Sequence, residues 1–169
     1  MKTFVIDVET TGLNSMESRI TCICAKDMET KEMHTFSGED EASILTRYWA
    51  LYDKYTRVVG FNVDAFDLPF IVKRSIINNV RVADNFDRNI RDLRKAANSF
   101  FLCYEKLAKG KLSDWAEVMG IEVATHNGAL MPKLFEKRDW KKIEEHCIED
   151  VEITTKLYER LKHLNIISG

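Results

Sequence analysis

Two prolines and seven glycines in 169 residues exclude collagen-like order and a long disordered tract. Cysteine is scarce too. Cys22, Cys24, Cys103 and Cys147 form no C-x-x-C pair and sit among apolar residues. They read as reduced core thiols of a cytoplasmic protein, with no soft-ligand cluster. An excess of one charge is also missing. Lys and Arg number 25 against 27 Asp and Glu, a net charge of -2, whereas a general nucleic-acid coating protein is strongly basic. No apolar run reaches membrane-spanning length, and the first is broken by Asp7 and Glu9. Neither a membrane span nor a signal peptide is expected.

What remains is an ordinary globular composition, 45% hydrophobic and 31% charged, of a length that suits one domain over residues 1–169. Residues 3–9 are β-branched and aromatic and read as a central strand, with Phe4, Ile6 and Val8 on one face and Val5, Asp7 and Glu9 on the other. Strands follow at 19–26, 31–37 and 58–61. Apolar spacing predicts helices over 40–54, 66–79, 88–109, 111–119 and 140–164. Strands followed by helices imply an α/β or α+β sheet domain.

Three elements carry chemistry. Asp7 and Glu9 leave the same strand face where an apolar strand ends; alone, they read as a solvated strand end, but two like charges buried there need a neutralising partner such as a hard divalent cation. Asp67 follows Asn62 and Phe66 at the start of the second helix; alone, it reads as a helix cap. Asp64 competes with it by residue type but lacks the aromatic and proline context. His146 and Asp150, four apart, share one face of the last helix at the border of its apolar stripe; alone, they read as a surface pair.

In this order and spacing the three elements resemble the motifs of the DEDD, or DnaQ-like, exonuclease superfamily. Asp7 to Leu13 resembles its first motif, Asn62 to Asp67 the second, and His146 to Val151 the third. Lys111 to Gly120 is similar to the approach to the third motif in family-B polymerase proofreading domains and their stand-alone relatives. The resemblance implies an RNase H-like fold with a central mixed β-sheet flanked by α-helices. It implies that Asp7, Glu9, Asp67 and Asp150 bind two Mg²⁺ or Mn²⁺ ions, and that the enzyme removes nucleoside 5′-monophosphates from a nucleic-acid 3′ end, probing a single strand, DNA before RNA. One branch of the superfamily places Tyr four residues before the last Asp, the other His five before it. Here His146 combines the spacing of the first with the residue of the second. It is the expected general base.

On the substrate side, the resemblance implies that Thr10, Thr11 and Leu13 meet the terminal nucleotide. Phe66 stacks on a base or packs beneath the second motif, and Asn62 bonds substrate or holds the turn. The basic stretch from Arg88 to Lys111 tracks phosphates or is a solvated helix face. Two other readings stand beside the exonuclease. One is a catalytically silent module that binds nucleic acid or a polymerase. The other is an enzyme that degrades short oligoribonucleotides.

Overall fold

The computed structural model describes residues 2–84, 86–87, 89–99, 110–123 and 130–168. Strand β1 (Thr3–Thr10) is the centre of a five-stranded sheet. Antiparallel β2 (Ile20–Asp27) pairs with it on one side, followed by antiparallel β3 (Met33–Ser37). Parallel β4 (Arg57–Gly60) and β5 (Ile90–Asp92) extend the other side, so the order is β3-β2-β1-β4-β5 and the sheet is mixed. The alternation of β1 divides the core in two. Phe4, Ile6 and Val8 pack with Ile44, Tyr48, Leu68 and Ile71 of α1 (Glu41–Tyr52) and α2 (Asp67–Ile77). On the opposite face Val5 packs with Cys22, Cys24 and Val59 under Ile143, Cys147 and Val151 of α6 (Trp140–His163). Helices α3 (Leu93–Ser99), α4 (Leu112–Val118) and α5 (Met131–Glu136) complete that layer. The expected α/β architecture, a mixed sheet flanked by helices, is the one observed.

Local chemistry sets the ends of these elements. Asp40 and Asp139 cap α1 and α6, each accepting from the backbone N–H three residues on. Gly60 ends β4 where a Cβ would stand 2.6 Å from the Val63 side chain, so only glycine lets the chain fold back there.

Two expectations need correction. The helix expected over 88–109 begins as strand β5, and α3 starts only at Leu93. Ile90, Arg91 and Asp92 gain a ladder with Val58, Val59 and Gly60 that no side-chain periodicity announces; tertiary pairing overrides local preference. Residues 100–109 of that segment, Cys103 among them, lie outside the described residues. Helix α5, with Pro132 in its first turn, was not expected at all.

Candidate active site

Strands β1 and β4 run parallel, and their carboxyl ends open onto a pocket of about 310 Å³, the usual ligand position in an α/β sheet. Its lining includes Asp7 and Glu9 of β1, Asp67 of α2, and His146 and Asp150 of α6. Three elements distant in sequence thus deliver the five expected residues to one cavity. A register shift between Glu9 and Thr10 interrupts the β1–β2 ladder beside them, and the Thr21 hydroxyl closes it by donating to the Glu9 carbonyl at 3.0 Å. Such bulges re-aim side chains at strand ends.

Asp67 is the first residue of α2 rather than its cap. The capping position belongs to Phe66, which offers no side-chain hydrogen bond. Asp67 is buried, as is Glu9. Burial lifts the Asp67 carboxyl to about 8, with the Asp92 and Glu9 charges adding to the effect and the Asp67 and Val8 backbone N–H groups opposing it. Burial also raises Asp7 well above the carboxylate range, and the charges of Asp150, Asp67 and Glu9 push it further. Asp150 rises to about 6 through burial, held back by His146. Like charges crowded out of water account for all three.

His146 Nδ1 lies 2.6 Å from Glu9 Oε1 and 3.8 Å from Asp150 Oδ2. Burial pulls its pKa down, but the Glu9 hydrogen bond and charge prevail, so the imidazole titrates above its ordinary value. Ligand atoms of Glu9, His146 and Asp150 all lie within 4.8 Å of one another. The four carboxylates supply hard oxygen donors, and a divalent cation would relieve the repulsion that raises three of them.

The substrate-side residues divide. Asn62 and Phe66 line the pocket. Asn62 adopts φ +68°, and its Oδ1 accepts from Arg94 Nη1 at 2.9 Å, so it also holds the turn. Phe66 packs on Phe70 with centroids 5.5 Å apart while one side faces the cavity. Thr10 and Thr11 are not among the lining residues. The Thr10 hydroxyl donates to Gly12 O, and that of Thr11 accepts from Arg19 N. Leu13 projects from this loop, 86% exposed. Of the basic stretch, Arg94 bonds Asn62, Lys95 pairs with Asp64 at 2.5 Å, and Lys111 lines the pocket. Asp64, the competing carboxylate, is therefore turned to Lys95.

Sequence reasoning missed Asp92. It is buried, and it accepts from the backbone N–H groups of Asn62, Asp64, Arg94 and Lys95. It lies in the misread segment, where only its place between Ile90 and Leu93 hints at burial. The absence of a soft-ligand cluster is also overturned, because Cys22, Cys24 and Cys147 converge. Strand β2 and helix α6 bring them together across more than a hundred residues, beyond the reach of local spacing.

A family model described as the RNase H superfamily matches residues 4–162. An uncharacterized protein of Methanocaldococcus jannaschii is 33% identical over 175 residues, covering 96% of this chain and 97% of that protein. The structure of the family B DNA polymerase from the hyperthermophilic archaeon Pyrobaculum calidifontis matches with a TM-score of 0.81 at 16% identity. The match covers 98% of this chain and only 25% of the polymerase chain, and it is a likeness of fold.

Proposed function

The chain belongs to the RNase H superfamily, and on that premise we propose that it is a metal-dependent 3′–5′ exonuclease releasing nucleoside 5′-monophosphates from a single strand, DNA in preference to RNA. The observation that carries this reading is the convergence of Asp7, Glu9, Asp67 and Asp150 on one cavity, with three of the four carboxyls displaced upward in pKa. A site that did no chemistry would have no physical need to confine four acids there. The donor set fits hard divalent ions. Asp7, Glu9, Asp67 and Asp150 would hold two Mg²⁺ or Mn²⁺, which when bound acidify a water and stabilise charge on the leaving 3′ oxygen.

The chain's own residues do the rest. His146, at the pocket wall beside Glu9 and Asp150, takes the proton of the attacking water. The water oxygen bonds to the terminal phosphorus, the bond from phosphorus to the penultimate 3′ oxygen breaks, that oxygen takes a proton from solvent as it leaves, and His146 returns its proton to solvent. Phe66 offers its ring to the terminal base, and Lys111 offers its charge to a phosphate. The loop carrying Thr10, Thr11 and exposed Leu13 flanks the strand's path.

One gel tests the proposal. Strands of DNA and RNA labelled at the 5′ end are incubated with Mg²⁺, Mn²⁺ or chelator. Stepwise shortening that stops in chelator, faster on DNA, is expected. Full activity in chelator, or cleavage only at internal positions, overturns it. Binding of both strands without shortening would mark a silent module instead.

A further inference from the structure

Three thiols meet beneath the carboxylate pocket. Cys22 and Cys24 stand two apart on β2, so both face α6, and Cys147 of α6 comes down to meet them. All three are free and fully buried. The Cys22 and Cys24 sulfurs are 3.8 Å apart, and all three lie within 4.8 Å of one another. An equilateral triangle with edges in that range has a centre about 2.2–2.8 Å from each corner, a span that contains the zinc–thiolate bond length of about 2.3 Å. Thr35 Oγ1, 3.6 Å from Cys24 Sγ, adds an oxygen at the rim.

We infer that Cys22, Cys24 and Cys147 form a binding site for one soft, thiophilic cation, separate in donor chemistry from the hard-ion site above it. Thiolate sulfur selects ions of the zinc and cuprous kind over Mg²⁺ and Mn²⁺. Binding exchanges thiol protons for the cation, and the protons pass to solvent. The three sulfurs are already gathered for that exchange, with Cys22 and Cys24 3.8 Å apart and Cys147 within 4.8 Å of both.

Occupancy would reach the pocket above. The Cys147 thiol donates to the Asp7 carbonyl at 3.4 Å, and its sulfur is 3.8 Å from Asp7 Oδ2. A cation that takes up this sulfur removes that hydrogen bond and draws on α6 one residue from His146 and three from Asp150. On the nuclease reading, a thiophilic ion is therefore an inhibitor acting from below the site.

The test uses reduced, chelator-stripped full chain titrated with Cd²⁺ alone, following thiolate-to-cadmium charge-transfer absorption. Carboxylates and imidazole give no such band. The wild type should saturate at one ion per chain, and Cys103→Ser should keep the band. Cys22→Ala and Cys24→Ala should each weaken binding at least thirtyfold, and the double variant should lack the band. A wild type without the band, a band lost in Cys103→Ser, or one kept in the double variant overturns the site. Melting curves without metal show whether each variant is folded; if one is not, the wild-type stoichiometry and Cys103→Ser decide. In a second arm, pre-loaded Cd²⁺ should cut Mn²⁺-dependent hydrolysis at least tenfold in wild type and less than twofold in Cys24→Ala. Equal inhibition of both overturns the coupling. Absence of hydrolysis in every state would sink the nuclease reading, while the absorption titration still decides the thiol site.

Discussion

The backbone N–H of Asn62 donates to Asp92 Oδ1 at 3.2 Å, tying the loop before α2 to the end of β5. Asp92 Oδ1 also accepts from Arg94 and Lys95 N–H, while Oδ2 accepts from Asp64. One carboxylate thus clamps two loops, and the first of them runs directly into Asp67. Left-handed Asn62 would cost about 1 kcal/mol or more if nothing held it there. Asp92→Ala should free that loop, lower kcat by roughly tenfold or more, and raise the Mn²⁺ concentration needed for half-maximal rate. Asp92→Asn keeps an oxygen for the three Oδ1 bonds and should recover most of the loss. Steady-state kinetics across a Mn²⁺ series checks both. Equal defects in the two variants would mean that Asp92 acts by its charge and not by its grip.

His146 is the second test. If it takes the water's proton, His146→Ala should lower kcat by roughly a hundredfold with a smaller effect on substrate affinity. His146→Tyr should keep part of the activity, because the position four residues before Asp150 suits Tyr in the resembling branch. Single-turnover kinetics of the three proteins decides; near wild-type turnover in the alanine variant removes His146 from the mechanism.

Much of this was legible before the structure. The face assignment of β1 followed from period-two alternation, and it alone places Asp7 and Glu9 with Val5 on the α6 side. The wheel position of His146 and Asp150 put them at the cleft border, where they stand. Asp92, β5 and the thiol cluster were not legible, because each depends on pairing between segments far apart in sequence. A three-residue edge strand of Ile, Arg and Asp has no periodicity to read, and Cys22 and Cys147 have no local relation. Leu13 is expected at the terminal nucleotide from its place in a motif, and its side chain is open to solvent outside the pocket lining, where a bound strand could reach it.

Glu41 and Arg74 give a stability prediction away from the pocket. Glu41 is 4% exposed and accepts from Ile20 N, from Asn78 Nδ2, and from both Nε and Nη2 of Arg74. Burial opposes its ionisation, but the Arg74 hydrogen bonds win and the carboxyl titrates below its ordinary value. A folded-state pKa below the unfolded one means stability present above about pH 4.3 and lost as pH falls through the folded value. Removing one partner of such a pair costs about 3–5 kcal/mol, so Glu41→Ala should melt about 10 °C lower at pH 7. Melts from pH 7 down to 3 should show the gap to wild type narrowing below about pH 4. A gap independent of pH would assign the loss to packing alone.

The pocket carboxylates predict the reverse trend. Asp67 titrates at about 8 in the folded chain, and Asp7 and Asp150 are raised as well, so the native state binds more protons than the unfolded one through the neutral range. Stability from these groups is present below the unfolded value of about 3.9 and falls as pH rises through the folded values. In chelator, the melting temperature contribution of the cluster should therefore decline from about pH 5 to pH 8. Cations reverse it by binding the folded site; at a hundred times the dissociation constant the gain is about 2.7 kcal/mol, or roughly 5–10 °C here. Asp7→Asn takes one charge from the cluster. It should abolish turnover and blunt the metal-induced rise, yet leave the chelated protein as stable as wild type or more so, with a shallower alkaline decline. Thermal melting of both proteins across pH, in chelator and in a Mn²⁺ series, separates the cases. A strong loss of stability for Asp7→Asn in chelator would make Asp7 a structural residue, bound to the fold through its contacts with Cys147. A wild type whose melting ignores Mn²⁺ would mean that the four carboxylates do not act as one cation site.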